Sequence, residues 1–296
     1  MMVQFVLYSL LLCSMVLAAG THSFAAASGQ ATSLNERTES MLDTATNYES
    51  IQVVALQALD KSHAEHNQFE EIRALINLSI TTYHLGRLST SLDYLFTART
   101  LLNSHPEFLG SRAGLRLGTR IWSVFGNTYS SAADYVQASV YYAKALKFAE
   151  DLQDSTRIAT ILNNIGFVYN QLDQTEPALQ HFTRALALSR KLRDTKGIAA
   201  ALNNIGSVYS RKELYDAALT YYKESLTLFT NLPKGRGVAS ALHNIGGIYS
   251  RKQSPDTALI FYKQTLQVSE DSKEYDIQAS LLYHIGSTFL QKQNTA

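Results

Sequence analysis

The chain has 296 residues and carries 26 basic against 25 acidic side chains, so its formal charge is close to zero. That balance argues against a general nucleic-acid binder, which needs a basic face to neutralise phosphates. Its single cysteine, Cys13, leaves no possibility of a disulfide within the chain.

Met1–Ala19 opens with an apolar run from Val3 that contains no charged residue, followed by Gly20 and by small and polar residues. This pattern predicts a secretory signal segment over 1–27, with small-residue cleavage positions near Ala19 or in Ala25–Ala27. The run is shorter than the roughly 20 residues that a membrane span needs, and contact with a membrane is expected only if it is retained. Cys13 follows Leu12 rather than a small residue, so it is not read as a lipidation site. Cleavage would leave no thiol. The expected location is therefore periplasmic or extracellular.

From Leu34 the apolar positions fall at helical spacings of three and four. Residues 28–67 read as N-terminal helices with a degenerate repeat, Ser50–His66 being its second helix. His63, Glu65 and His66 have spacing a metal could use, but lack a wider ligand signature and read as a solvated face. A fuller unit follows at 72–105, with Asn77, Ser79, Thr82, Gly86, Ser91, Leu95 and Ala98 in the recurring slots. Asn77-Leu78-Ser79 is also a glycosylation sequon, placed on a helix expected to be packed.

Beyond it, Gly126, Gly166, Gly206, Gly246 and Gly286 stand 40 residues apart. Tyr129, Tyr169, Tyr209 and Tyr249 keep the same step, as do Ala138, Ala178, Ala218 and Ala258. The predicted units are 119–152, 159–192, 199–232 and 239–272, with an incomplete one at 279–296. A self-similar step of this length predicts a helical array in which each unit buries its apolar face against the next. Ser79 and Gly126 are 47 apart, and the extra length is expected in Asn103–Gly114, where His105-Pro106 stops a helix. Asp154-Ser155 and Asp194-Thr195 mark helix starts, and Pro233 with Gly235 marks a break. A final unit without its second helix predicts a fragment of a longer protein or a last helix that has taken the capping role; an open end could also self-associate.

G-x-x-Y, then a small residue nine positions on, an aromatic four later and a small residue three later: Gly166, Tyr169, Ala178, Phe182 and Ala185 carry this pattern. Gly246, Tyr249, Ala258, Tyr262 and Thr265 repeat it. It resembles the tetratricopeptide repeat, in the long variety of kinesin light chains and bacterial sensor proteins. The resemblance implies an all-α, right-handed superhelical solenoid of helix-turn-helix units whose first helices line a concave groove. Two residues before each repeat glycine stand Asn164, Asn204 and Asn244; one earlier stand Asn163, Asn203 and His243. Arg211 and Arg251 follow five residues after their glycines.

By the resemblance these slots face the groove. An asparagine ladder there would grip a peptide backbone through paired donors and acceptors, and the arginines would favour carboxylates. The same asparagines could instead bond between neighbouring helices, and the arginines could lie in a solvated turn. The expected function is an exported scaffold that binds a peptide or protein segment. The alternatives are the extracytoplasmic region of a truncated sensor kinase or helix-turn-helix regulator, and a self-associating envelope scaffold. The sequence holds no phosphate-binding loop and no catalytic constellation, so no enzyme, cofactor or metal is expected.

Overall fold

The computed structural model describes residues 29–44, 47–232, 236–271 and 281–290. The apolar opening run lies outside them, as do Pro233 and Gly235. The described residues form helices joined by short turns, in two compact units, 1–101 and 102–296. None of these helices is long and apolar enough to cross a membrane.

In the first unit α1 (Gln30–Asp43), α2 (Tyr48–Ala64), α3 (Gln68–His84) and α4 (Leu88–Ser104) follow one another. Asn47 and Asn67 cap α2 and α3 by accepting from the amides of Ser50 and Glu70. Asn35 of α1 is fully buried and donates to the carbonyl and carboxylate of Glu70, each at 2.9 Å. Its Oδ1 accepts from Asn77 Nδ2 at 3.1 Å. Arg73 bridges Glu70 and Glu39, so the buried carboxylate of Glu70 has a cation beside it. Asn77 has no exposed surface, so the folded unit hides the sequon. At the slot that later units fill with glycine, Ser79 bonds Ser91 at 2.8 Å.

The second unit begins with a 3-10 turn, Pro106–Gly110, which fills the longer step between α4 and the next helix. There follow α5 (Arg112–Ser131), α6 (Tyr135–Asp151), α7 (Ser155–Gln171), α8 (Thr175–Leu192) and α9 (Thr195–Arg211). α10 (Tyr215–Thr230), α11 (Arg236–Arg251) and α12 (Pro255–Asp271) continue the series, and 281–290 is a further helix. Asp154 and Asp194 accept from the amides of Arg157 and Gly197, which starts α7 and α9 four residues ahead of the unit boundaries at 159 and 199. Each helix packs on the next, and the first helices α7, α9 and α11 also adjoin one another. They form the common layer of this unit.

Within each repeat one contact fixes the crossing. Buried Tyr142, Phe182, Tyr222 and Tyr262 press their rings on Gly126, Gly166, Gly206 and Gly246. A Cβ on Gly166 would stand 2.7 Å from Phe182 Cδ1, and one on Gly206 2.8 Å from Tyr222 Cδ1. The residue before each ring stacks on the repeat tyrosine: Tyr129 with Tyr141, Tyr169 with His181, Tyr209 with Tyr221 and Tyr249 with Phe261. Their centroids are 5.2 to 5.5 Å apart.

Gly166→Val is therefore expected to cost about 2 kcal/mol or more through overpacking, read from chemical denaturation. Combined with Phe182→Ala it should lose less than the sum of the two single losses, because the smaller side chain vacates the space. Additive losses would refute the Gly166–Phe182 contact as the source of the cost.

Candidate functional site

The polar residues of the common layer pair across repeats. Asn204 Nδ2 donates to Asn163 Oδ1 at 3.1 Å, and Asn244 Nδ2 to Asn203 Oδ1 at 3.1 Å. Asn164 Nδ2 reaches Asn127 Oδ1 at 3.4 Å, and that oxygen also accepts from the Tyr142 hydroxyl at 2.7 Å. All these asparagines are half-buried. Sequence reading left bonding between repeats and gripping a ligand as alternatives. The side chains do the first, and each amide that makes a single bond keeps hydrogen-bonding capacity for a second partner.

Where the next rung would fall, the pattern changes chemistry. His243 occupies the slot of Asn163 and Asn203, and His284 that of Asn204 and Asn244. Their rings meet edge to face, centroids 4.9 Å apart. His243 is half-buried, and its Nδ1 is enclosed with no hydrogen-bond partner among the described residues. Burial, reinforced by the neighbouring His284, pushes the His243 imidazolium down to about 4.

These two histidines belong to a cavity of about 600 Å³. α9 supplies Ser207, Ser210 and Arg211; α11 supplies His243, Asn244, Gly247, Ser250 and Arg251; 281–290 supplies His284. Tyr222 of α10 and Tyr262 of α12 close the wall. Burial pushes the Tyr222 hydroxyl up to about 12, so it stays protonated as a donor. Burial raises Tyr262 as well, against the pull of Arg251. Among the described residues no carboxylate lines the cavity.

Four of the sequence-predicted groove residues meet here: Arg211, His243, Asn244 and Arg251. Asn163, Asn164, Asn203 and Asn204 lie in the same layer but outside this wall. Arg211 is ion-paired to Asp173 and donates to Gln171 Oε1 at 3.2 Å. Arg251 donates instead to Ser210, at 3.0 Å to the hydroxyl and 3.3 Å to the carbonyl. The serines, Tyr222 and Tyr262 were not expected in the groove, whereas His284 stands in the slot of Asn204 and Asn244. The available signal was their 40-residue register with residues already singled out.

The depressed ionisation of His243 has a sign. The unfolded chain takes up a proton near pH 6.5 and the folded one near 4, so this contribution is full above about 6.5 and lost as pH falls to about 4. His243→Asn, which puts in the residue of the two preceding repeats, should reduce the fall in melting temperature over that window. Parallel pH–melting curves for parent and variant would contradict the assignment.

The family model described as tetratricopeptide repeat matches residues 119–191 and 197–271. No curated protein matches the chain. Among solved structures, NprR in complex with its cognate peptide NprX aligns with a TM-score of 0.71 at 16% identity, over 88% of this chain and 73% of that one. A Rap protein complexed with competence and sporulation factor aligns at 0.62 and 14%, over 90% and 76%. BtubC from P. vanneervenii aligns at 0.58 and 18%, over 77% and 92%. The glycine-on-ring crossings, the 40-residue register and these matches agree: the chain belongs to the tetratricopeptide repeat family.

Proposed function

We propose that this chain is an interaction scaffold that holds a peptide, or an extended segment of a partner protein, along the first-helix layer of its second unit. The observation that carries this reading is the polar lining of that layer, which continues into the cavity between α9, α11 and 281–290. An extended backbone presents alternating N–H and C=O groups. The amides of Asn203, Asn204 and Asn244 retain acceptors and donors suited to both. Of the similar structures, NprR is in complex with its cognate peptide and the Rap protein is complexed with competence and sporulation factor, and the first supports a peptide as the kind of ligand such a layer takes. In this reading the chain binds and carries out no reaction. It works outside the cytoplasm, led there by the apolar segment 3–19 and released by cleavage near Ala19 or in Ala25–Ala27.

The test compares the chain with an Asn164→Ala, Asn204→Ala, Asn244→Ala variant in capture from envelope extract, with thermal melts of both. Each lost rung is expected to cost about 1 kcal/mol, leaving a folded variant that no longer retains the partner. A variant that melts lower yet captures the same partner equally well would show that the amides serve only the stacking.

A further inference from the structure

We propose that the cavity between α9, α11 and the helix at 281–290 is an oxyanion site that takes up a proton on the His243–His284 pair as it fills. The inference goes beyond the peptide reading and does not require it. Failure of peptide capture would leave the anion titration standing, and failure of the titration would leave capture untouched.

Three observations lead to it. The described residues of the wall supply cations, hydroxyls, an amide and imidazoles, and no acidic side chain among them, a lining that favours a negative ligand. Its two arginines differ in what holds them. Arg211 is neutralised by Asp173, whereas Arg251, one repeat on, donates among the described residues to the hydroxyl and carbonyl of Ser210, bonds that leave its charge uncompensated. Arg251 lies close enough to the Tyr222 and Tyr262 hydroxyls for its charge to act on both. The guanidinium fork offers five N–H donors, and the bonds to Ser210 engage one nitrogen, Nη1.

The third observation is the replacement of an asparagine rung by imidazoles. An Asn–Asn rung is neutral at every pH. A His–His rung can gain one positive charge, and repulsion within the pair opposes a second. The titratable and charged groups facing this rung are Arg211 from α9, Tyr222 from α10, Arg251 from α11, Tyr262 from α12, and Tyr283 from 281–290, edge-on to His284. None is an acid that ionises to compensate the charge at neutral pH. The cavity is therefore electrostatically incomplete without an anion, and an anion placed beside Arg251 makes the protonated pair more favourable. Proton and anion then bind with positive coupling, each strengthening the other.

The probe is sulfate, whose charge does not change over the histidine range, titrated into the chain while the imidazole Cε1–H resonances are followed by NMR. Formate is the second arm. A saturable shift of the His243 and His284 signals is expected, with affinity for sulfate rising by up to about tenfold per pH unit as pH is lowered through the histidine range. Tighter sulfate binding would identify a tetrahedral group, phosphate or sulfate, as the natural ligand moiety; tighter formate binding would identify a carboxylate.

Two variants keep the test independent of folding, since each inserts a residue that the same slot carries elsewhere in the chain. Arg251→Gln, matching Gln171, should abolish saturation. His243→Asn, matching Asn203, should keep binding and lose most of its pH dependence. Absence of saturable shifts with either anion, or unchanged binding in Arg251→Gln, overturns the proposal. Binding that is independent of pH overturns the proton coupling.

Discussion

The second unit depends on a close approach that recurs four times, a bare glycine backbone under the face of an aromatic ring. Gly126, Gly166, Gly206 and Gly246 let the first and second helices come near enough for Tyr142, Phe182, Tyr222 and Tyr262 to be almost wholly buried. The ring fixes the distance, and the adjacent stacked pair, such as Tyr209 on Tyr221, fixes the rotation. Because the same two contacts recur, successive repeats present equivalent positions to one another. The first unit meets the same need with smaller groups, a Ser79–Ser91 bond and buried Leu95 in place of the ring.

Equivalent positions make the rungs possible. A half-buried amide must find a partner, and the equivalent helix of the neighbouring repeat is within reach. Outward from the rungs, Lys212 pairs with Glu176 and Lys252 with Asp216, tying the end of a first helix to the start of the preceding second helix. These outer pairs are exposed and add little. The inner ones are half-buried, so the polar layer that is offered to a ligand also holds the repeats in register. Binding and stacking draw on the same atoms.

The array was legible from the sequence because the 40-residue step puts glycine, tyrosine and alanine in phase, and few other architectures repeat in that way. The starts of α7 and α9 were legible in Asp154 and Asp194, whose short side chains suit the cap. The asparagine pairings were not. An amide is both donor and acceptor, and spacing alone does not say whether Asn204 turns to Asn163 or to a ligand. The cavity was harder still, since its wall joins Ser207 to His284 across five helices. Tyr222 and Tyr262 are core residues that also line the cavity. The different lots of Arg211 and Arg251 turn on Asp173, which sequence reading had given no part.

Ala133, Asp173, Glu213 and Gln253, in turns within repeats, and Gln153 and Arg193, in turns between them, all take φ values near +60°. Left-handed backbone strains a residue that has a Cβ, by about 1 kcal/mol or more. The helices on either side evidently hold it there, and they hold it wherever a turn of this kind occurs, whatever the side chain. From Ala133 to Glu213 the same joint thus serves both kinds of corner. A stretch beginning and ending at equivalent corners can be duplicated or excised without asking the flanking helices to meet at a new angle. The chain is in this sense jointed for change in length by whole repeats, and its binding layer can lengthen or shorten rung by rung while each crossing stays as it was.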